Sequence, residues 1–370
     1  MILLKRTIKG LVILLILGLS LSSCKEDDSD TCCGPLPAEE DYYPPTGKEW
    51  ESEDPNTLNW DADSIASLYQ ALEENGTRAF IVLKNGKIVL ENYWGRTILG
   101  NSEFTQDSRW YWASTAKTLT AFTVQKASEE GALDLLDPTS QYLGKGWTSL
   151  TESQEEKITI WHQLTMTAGL DDTKGDGFAT ENLTYIADAG SRWSYHNAPY
   201  TLLEKVVANA TEIEFQEYFN DKLQNEIGMT GNWQWSGDNH LYLSDARSAA
   251  RFGLLMQNYG QWDGKELLKW QNAEEAVSTS QELNKSYGYL WSLNGKGSYM
   301  LPQTQIIFPG NLLPNAPEDT YSAMGKNGQY ISISPENGLV IVRFGDNPSQ
   351  ALVPLLFLDD IWAKMDGVMN

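Results

Sequence analysis

Cysteine is nearly absent from this chain of 370 residues: there are three, at positions 24, 32 and 33, and none after residue 33. No disulfide framework can therefore brace a folded region beyond that point, and no thiol is available there as nucleophile or ligand. Histidine is also scarce, with only His162, His196 and His240, and neither His-x-x-x-His nor Cys-x-x-Cys spacing occurs. The sequence thus predicts no metal site and no cofactor. Positive charge is in short supply: 27 Lys and Arg face 50 Asp and Glu, giving a net charge of −23. Such a chain repels phosphate backbones, and no basic patch with interleaved aromatics offsets this, so nucleic acid is excluded as an expected partner. No internal repeat is visible. What is present is material for a core. The apolar fraction is 41% and there are 14 tryptophans, which excludes wholesale disorder. The length suffices for one large domain or two small ones.

The one long apolar run is at the start. Lys5, Arg6 and Lys9 precede residues 11–21, which are apolar apart from Gly18 and Ser20. That is the charged start and greasy middle of an export signal, too short for a comfortable membrane span. It leads into Leu21-Ser22-Ser23-Cys24, which resembles the bacterial lipobox. The resemblance implies cleavage before Cys24 and lipidation of that cysteine, with residues 1–23 as the signal peptide. From residue 25 to 58, eleven acidic residues face two lysines, and Pro35, Pro37, Pro44, Pro45 and Pro55 are scattered among them. No apolar periodicity survives, so residues 24–58 are expected to be a flexible, self-repelling tether, with the domain proper at 59–370. Lys25-Glu26-Asp27-Asp28 resembles the acidic signals that carry some Bacteroidetes lipoproteins to the cell surface; plain solvated linker is the alternative. The expected location is the cell envelope of a Gram-negative bacterium, lipid-anchored to the outer membrane, with the anchor as its only membrane contact. The sequence does not fix the oligomeric state.

In the remainder, Ile65, Leu68, Tyr69 and Leu72 lie at i, i+3, i+4 and i+7 and predict a helix over 61–74. Two β-rich runs, 78–83 and 88–93, flank Asn85-Gly86 and predict a hairpin. Further helices are expected at 161–166, 200–209, 215–227 and 246–259. A second hairpin is expected from 328–333 and 339–344, and an amphipathic helix over 352–365 closes the chain. Strands early and late with helices between imply an α+β fold: one antiparallel sheet built from both ends, flanked by helices, with a mostly helical region inserted.

Three stretches carry chemistry. In Trp112-Ala113-Ser114-Thr115-Ala116-Lys117 a serine opens an apolar helix with a lysine three residues on, so both can share one face. A neutral lysine can take the serine's proton, and desolvation by the apolar helix would keep it neutral. In Tyr195-His196-Asn197 a phenol and an amide lie two residues apart. The phenol could carry a proton if nearby cations hold its pKa down, and the amide could position a substrate. In Lys326-Asn327-Gly328-Gln329, entering the late hairpin, Gly328 would allow close approach and Lys326 could hold a carboxylate. The N–H that follows could face an oxyanion. Each motif alone is commonplace.

Together and in this order they resemble the serine β-lactamase and penicillin-binding-protein superfamily. The Tyr-x-Asn element looks like the class C branch, with its esterase, D-amino-acid peptidase and nylon-oligomer-amidase relatives. The resemblance extends to residues 131–138, 158–170, 249–255 and 287–291, and covers roughly 60–365. It implies Ser114 as the acyl-forming nucleophile, Lys117 as its base and Tyr195 as the proton shuttle to the leaving group. Asn197, Lys326, Gly328 and Gln329 would bind substrate, with the N–H groups of Ser114 and Gln329 as the oxyanion hole. There are departures. No Glu-x-x-Leu-Asn deacylation motif of class A is seen, Met166 stands where many relatives have histidine, and Asn327 replaces the threonine of Lys-Thr-Gly. The expected function is hydrolysis of an amide or ester bond in a small or peptide-like substrate through an acyl-enzyme. The alternatives are a class C-like β-lactamase or D,D-peptidase, and a catalytically silent envelope lipoprotein that only binds ligand.

Overall fold

A computed structural model describes residues 41–370. The expected signal peptide, Cys24, Cys32-Cys33 and the first part of the acidic tether lie outside the described residues. A helix, α1 (Ala62–Glu74), opens the domain, with the Asp61 side chain accepting from the Ser64 N–H as its N-cap. The first hairpin follows: β1 (Thr77–Lys84) and β2 (Lys87–Tyr93), joined by Asn85 and Gly86 at φ 47° and 80°. Positive φ at both central residues is what a tight hairpin requires, and Asn-Gly tolerates it best. Next come β3 (Trp110–Tyr111) and the central helix α2 (Lys117–Glu129), then the short helices α3 (Ser140–Leu143), α4 (Glu152–Glu155) and α5 (Ile160–Leu164). After them come α6 (Asn197–Thr201), α7 (Leu203–Thr211) and α8 (Phe215–Phe219). A hairpin of β4 (Gly231–Ser236) and β5 (Asn239–Ser244) precedes α9 (Ala246–Gln257). Beyond it β6 (Gln261–Trp262) pairs with β7 (Lys265–Glu266), followed by α10 (Trp270–Ala276). The chain ends with β8 (Ser292–Leu293), the pair β9 (Ser298–Met300) and β10 (Ile307–Pro309), then β11 (Tyr321–Gly325), β12 (Gln329–Ser334), β13 (Leu339–Gly345) and α11 (Leu355–Met369).

The main sheet runs β2-β1-β13-β12-β11-β8 and is antiparallel throughout. The pairing of β1 with β13 joins the two ends of the domain. The strand alternation sends Phe80, Val82, Tyr330 and Ile341 to one face, under Leu68 and Leu72 of α1 and Leu358 and Trp362 of α11. Ile81, Leu83, Ile331 and Val342 point the other way, against α2 and Phe252 and Leu255 of α9. Both faces are covered, so the strands are apolar on both sides. The helix α2 sits in the thick of this core, with ten of its residues buried, from Lys117 to Ala127.

Three expectations need correction. The acidic tether does not extend to residue 58, because residues 41–58 are fastened to the domain. Tyr42 N–H donates to the Asn85 carbonyl at 3.0 Å, Glu53 N–H to Ile88 at 2.9 Å and Trp50 Nε1 to Gly86 at 2.7 Å. The buried Arg251 donates to the carbonyls of Pro44, Pro45 and Gly47, and its guanidinium lies 4.9 Å from the Trp50 ring centroid. These anchors are backbone carbonyls and two or three isolated rings, which apolar periodicity does not register. The helix expected over 215–227 breaks after Phe219 into a π-helical turn, Asn220–Gln224. The β4–β5 hairpin stands inside a region expected to be mostly helical.

Candidate active site

Ser114 lies not in α2 but in the 3₁₀ turn that leads into it, Ala113–Ala116. Ala113 adopts φ 50°, a left-handed conformation that costs a non-glycine residue energy and recurs at functional turns. The turn is held from two sides. Trp112, fully buried, donates its N–H to the Tyr242 carbonyl at 2.9 Å and its Nε1 to Ser244 Oγ at 2.7 Å, tying the turn to β5. Thr115 Oγ donates to the Gln329 carbonyl at 2.8 Å, tying it to β12. Ser114 itself remains half-buried.

One turn on, Lys117 Nζ lies 3.0 Å from Ser114 Oγ. Lys117 is 3% exposed. Burial pulls its pKa down to about 7, against a smaller opposing pull from the Asp176 carboxylate. At neutral pH a large share of this lysine is therefore uncharged and able to accept a proton. Its Nζ lies 4.2 Å from the Tyr200 ring centroid and 5.1 Å from that of Tyr195, so two aromatic faces take the place of water.

Tyr195 lines the same cleft as Ser114, and the serine side chain acts on its phenol. The sequence reading required cations to lower this phenol's pKa. Burial instead raises it above the ordinary value, with the Ser114 side chain opposing and Asp176 adding to the rise. Tyr195 is thus a neutral phenol, a proton donor in its resting form. Its loop is fixed by Met166, which sits at φ 59°, accepts the Ser194 N–H on its carbonyl and the His196 N–H on its sulfur at 3.4 Å. Asn197 opens α6 and donates its Nδ2 to Asp176 at 2.8 Å, while its Oδ1 is buried without a partner. An orphaned acceptor beside a nucleophile suits a substrate N–H.

The third motif is placed differently from expectation. Lys326-Asn327-Gly328 is a tight turn between β11 and β12, with Asn327 at φ 64° and Gly328 at φ 78°. Lys326 is exposed and lines the cleft. Gly328 and Gln329, expected to bind substrate, do not line it. A Cβ on Gly328 would lie 2.7 Å from the Arg343 guanidinium and 3.1 Å from the Tyr330 hydroxyl, so this glycine serves internal packing. Gln329 is fully buried, with its side chain bridging both the N–H and the carbonyl of Gly345. Asn327 donates its side-chain amide to Tyr111 OH at 2.8 Å. The residue that meets the serine turn is Gly325, at the end of β11. A Cβ there would lie 2.7 Å from the Trp112 carbonyl oxygen and 3.1 Å from Thr115 N. Only glycine lets the strand end come this near.

These groups line a cleft of about 540 Å³ bounded by Ser114, Lys117, Tyr195, Asn197 and Lys326. Asp176 and His240 also border it, and nothing in the sequence marked either. Asp176 belongs to an exposed Asp-rich loop that reads as solvated surface. His240 accepts or donates at Nδ1 to Glu204, 2.7 Å away, and stacks on Trp235 with centroids 4.2 Å apart. The stack of His240 on Trp235 depends on the hairpin that was not anticipated. Among the described residues no three His, Cys, Asp or Glu side chains gather as a metal site, and no helix is long and apolar enough to cross a membrane.

Comparison with known proteins agrees with this architecture. An uncharacterized protein of Alkalihalophilus pseudofirmus is 27% identical over 312 residues, covering 76% of this chain and 86% of its own. Among solved structures, a protein of Bacillus anthracis described as a 6-aminohexanoate-dimer hydrolase superposes with a TM-score of 0.66 at 20% identity, covering 88% of this chain and 89% of that one. EstCE1, described as a hydrolase with promiscuous acyltransferase activity, gives 0.63 at 14% identity over 85% and 99%. These likenesses concern the fold, a mixed α/β arrangement around an antiparallel sheet. The model of the family described as Beta-lactamase matches residues 66–346, which is most of the domain, and the chain belongs to that family.

Proposed function

We propose that the protein is a serine hydrolase that cleaves an ester or amide bond through an acyl-enzyme on Ser114. The observation that carries this reading is the buried Lys117, 3.0 Å from Ser114 Oγ and with its pKa drawn down to about 7. A desolvated amine against a hydroxyl has no structural use that methionine would not serve better, so a silent binding protein is disfavoured. In the proposed reaction Lys117 takes the Ser114 proton as Oγ attacks the carbonyl carbon. The carbonyl oxygen becomes an oxyanion, held by the N–H groups of Ser114 and Lys326. Lys326 takes the place first assigned to Gln329 because Gly325, just before it, is pressed against the serine turn. When the tetrahedral intermediate collapses, the carbonyl re-forms and the bond to the leaving group breaks. Tyr195 gives that group its proton, and the proton held by Lys117 restores the phenol. Water then attacks the ester on Ser114, delivering its proton through the same pair, and the acid is released.

Two observations bear on the alternatives. The Asn327 amide is engaged by Tyr111 and cannot act as the threonine hydroxyl of a Lys-Thr-Gly element, which disfavours a β-lactamase or D,D-peptidase. The cleft also adjoins an apolar chamber, described below. Labelling with a fluorophosphonate should mark the wild-type protein and not Ser114→Ala, and p-nitrophenyl esters should turn over faster than nitrocefin. Equal labelling of both proteins would remove Ser114 as nucleophile. Anchoring at the outer membrane through a lipid on Cys24 remains part of the proposal, on the strength of Leu21-Ser22-Ser23-Cys24. Cys24→Ala should leave the membrane fraction; if it stays there at mature size, the anchor is elsewhere.

A further inference from the structure

A second cavity, of about 590 Å³, adjoins the catalytic cleft. The two share Tyr195, Pro302, Gln303, Leu352 and Val353 as walls, so they are adjacent. Their linings differ in kind. The cleft has Lys117, Lys326, Asp172, Asp176 and two histidines around it. The chamber has no charged or histidine side chain among its described lining residues, in a protein whose net charge is −23. Its walls are chiefly Leu301, Leu312, Met324, Leu355, Leu356 and Phe357. Of the polar side chains beside them, Asn284 Oδ1 accepts the Met300 N–H at 3.1 Å and Ser286 donates to the Ser298 carbonyl at 2.9 Å, while Trp193 Nε1 and Tyr287 OH are buried without a partner. Such a compartment offers a charged substrate fragment no counter-charge and leaves most of its hydration unreplaced, whereas an apolar one gains by leaving water. The volume lies within the range of small-molecule sites. The entrance is apolar too, since Leu352 and Leu356 are 52% and 84% exposed.

Met324 ties the chamber to the chemistry. It precedes Gly325 in β11, the strand end that abuts the serine turn, so a carbonyl seated at Ser114 lies within a short reach of the chamber wall. Tyr195 stands at the junction, since its side chain borders both compartments.

We infer that the chamber receives an aliphatic or aryl chain of the substrate, so that the preferred substrates are esters or amides carrying an apolar group of medium length. The inference rests on the serine-hydrolase reading, and it names the substrate class for that site. The chain could belong to the acyl part or to the leaving group, and two substrate series separate these. In one, the acyl chain of p-nitrophenyl esters is lengthened from acetate to octanoate; in the other, the alcohol of alkyl acetates from methyl to octyl. Burial of a methylene is worth about 0.8 kcal/mol, or about fourfold, so kcat/KM should climb roughly two- to fourfold per methylene in one series until the chamber is full. The series that climbs identifies the occupant.

Leu355→Trp and Leu301→Trp each fill the chamber from a wall that the catalytic cleft does not share. Each should shift the optimum to shorter chains and leave acetate turnover within about twofold, provided its thermal melt matches wild type. Two substitutions guard against one failing to fold. Binding of N-octylacetamide and N-ethylacetamide to Ser114→Ala, followed by calorimetry, reads the chamber without catalysis, and the octyl compound should bind at least tenfold more tightly. Kinetics flat in both series, with equal binding of the two amides, overturns the chamber even if Ser114 is labelled by fluorophosphonate. Preferential octyl binding without labelling of Ser114 keeps the chamber and removes the serine mechanism.

Discussion

Lys117 has to be buried enough to lose its charge and close enough to Ser114 to use what that leaves. Both conditions are met by one turn of chain, because i and i+3 share a face and α2 is immersed in the core. The consequence is a pH dependence with a definite sign. Catalysis needs neutral Lys117, so kcat/KM should rise through about pH 7 and level off above it. Stability follows the same group. The unfolded chain, with an ordinary lysine near 10.5, binds more protons than the folded one between about pH 7 and 10.5, so folding gains from this group as pH rises through that window. Below about pH 7 the cost of a buried ammonium is fully present. Lys117→Met should therefore be inactive yet more stable, by on the order of a few kcal/mol at pH 6 and progressively less toward pH 10. Thermal melts of the two proteins across that range would test it; a difference that does not vary with pH would refute the buried-amine account. Tyr195 behaves in the opposite sense, since burial keeps its proton on. Tyr195→Phe should lose about 10² to 10⁴-fold on an amide, whose amine leaving group needs a proton, and less on a p-nitrophenyl ester. Equal losses on a matched pair would reject the leaving-group role.

At the scale of elements, what was legible in the sequence was whatever local chemistry forces. Asn85-Gly86 announces the first hairpin because few other pairs accept positive φ twice, and the apolar spacing of Leu68 and Leu72 announces α1. Ser114, Lys117 and Tyr195 were legible for the same reason, as short-range patterns, and the fold brings them together. The third motif was misread because Lys-Asn-Gly before a β-rich run looks like a strand edge. The local backbone decides otherwise: Asn327 and Gly328 both at positive φ make a turn, and Arg343 locks it by donating to the carbonyls of both residues at 2.8 Å. Gly325 was invisible, since its role exists only when β11 and the serine turn meet across more than 200 residues of chain. Asp176 and His240 were invisible for that reason too. Gly325 yields a prediction that belongs to this junction. Its φ of −127° suits any residue, so Gly325→Ala meets no backbone strain, only the Trp112 carbonyl and the Thr115 amide. The strand end and the serine turn must part by several tenths of an ångström. A misplacement of about 1 Å at a nucleophile costs about 10²-fold, so this smaller one should cost on the order of tenfold in kcat/KM, and overpacking costs about 1–3 kcal/mol of stability. Steady-state kinetics alongside denaturant titration would check both, and unaltered kinetics would show that the junction does not position Ser114.

For the molecule as a whole, the boundary between tether and domain decides what the proposed lipid anchor on Cys24 would be attached to. Composition places that boundary at residue 58; the contacts place it before residue 42. The difference rests chiefly on Arg251, which is 2% exposed and, among the described residues, has no carboxylate within salt-bridge distance. Burial lowers its pKa to about 10, and its charge is offset by carbonyl oxygens: Ile227 at 3.0 Å from the domain, and those of Pro44, Pro45 and Gly47 from the N-terminal strap. Prolines suit the strap, because they cannot donate and their carbonyls are free to accept. The strap also reaches the tip of the first hairpin through Tyr42 and Trp50, so it braces the sheet edge that β2 would otherwise expose. Two truncations separate the readings. A chain beginning at residue 41 keeps every one of these contacts and should melt where the untruncated chain does. A chain beginning at residue 59 leaves a buried guanidinium facing three missing acceptors. Each lost partner of a buried charged donor costs about 1–3 kcal/mol, so this form should lose on the order of 5 kcal/mol and melt several degrees lower. Arg251→Met in the chain beginning at 59 should recover part of that loss, since it removes the orphaned charge, whereas in the chain beginning at 41 the same substitution should destabilise. Such a reversal of sign is the signature of a strap held by one arginine. Equal melting of the two truncations would return residues 41–58 to the tether.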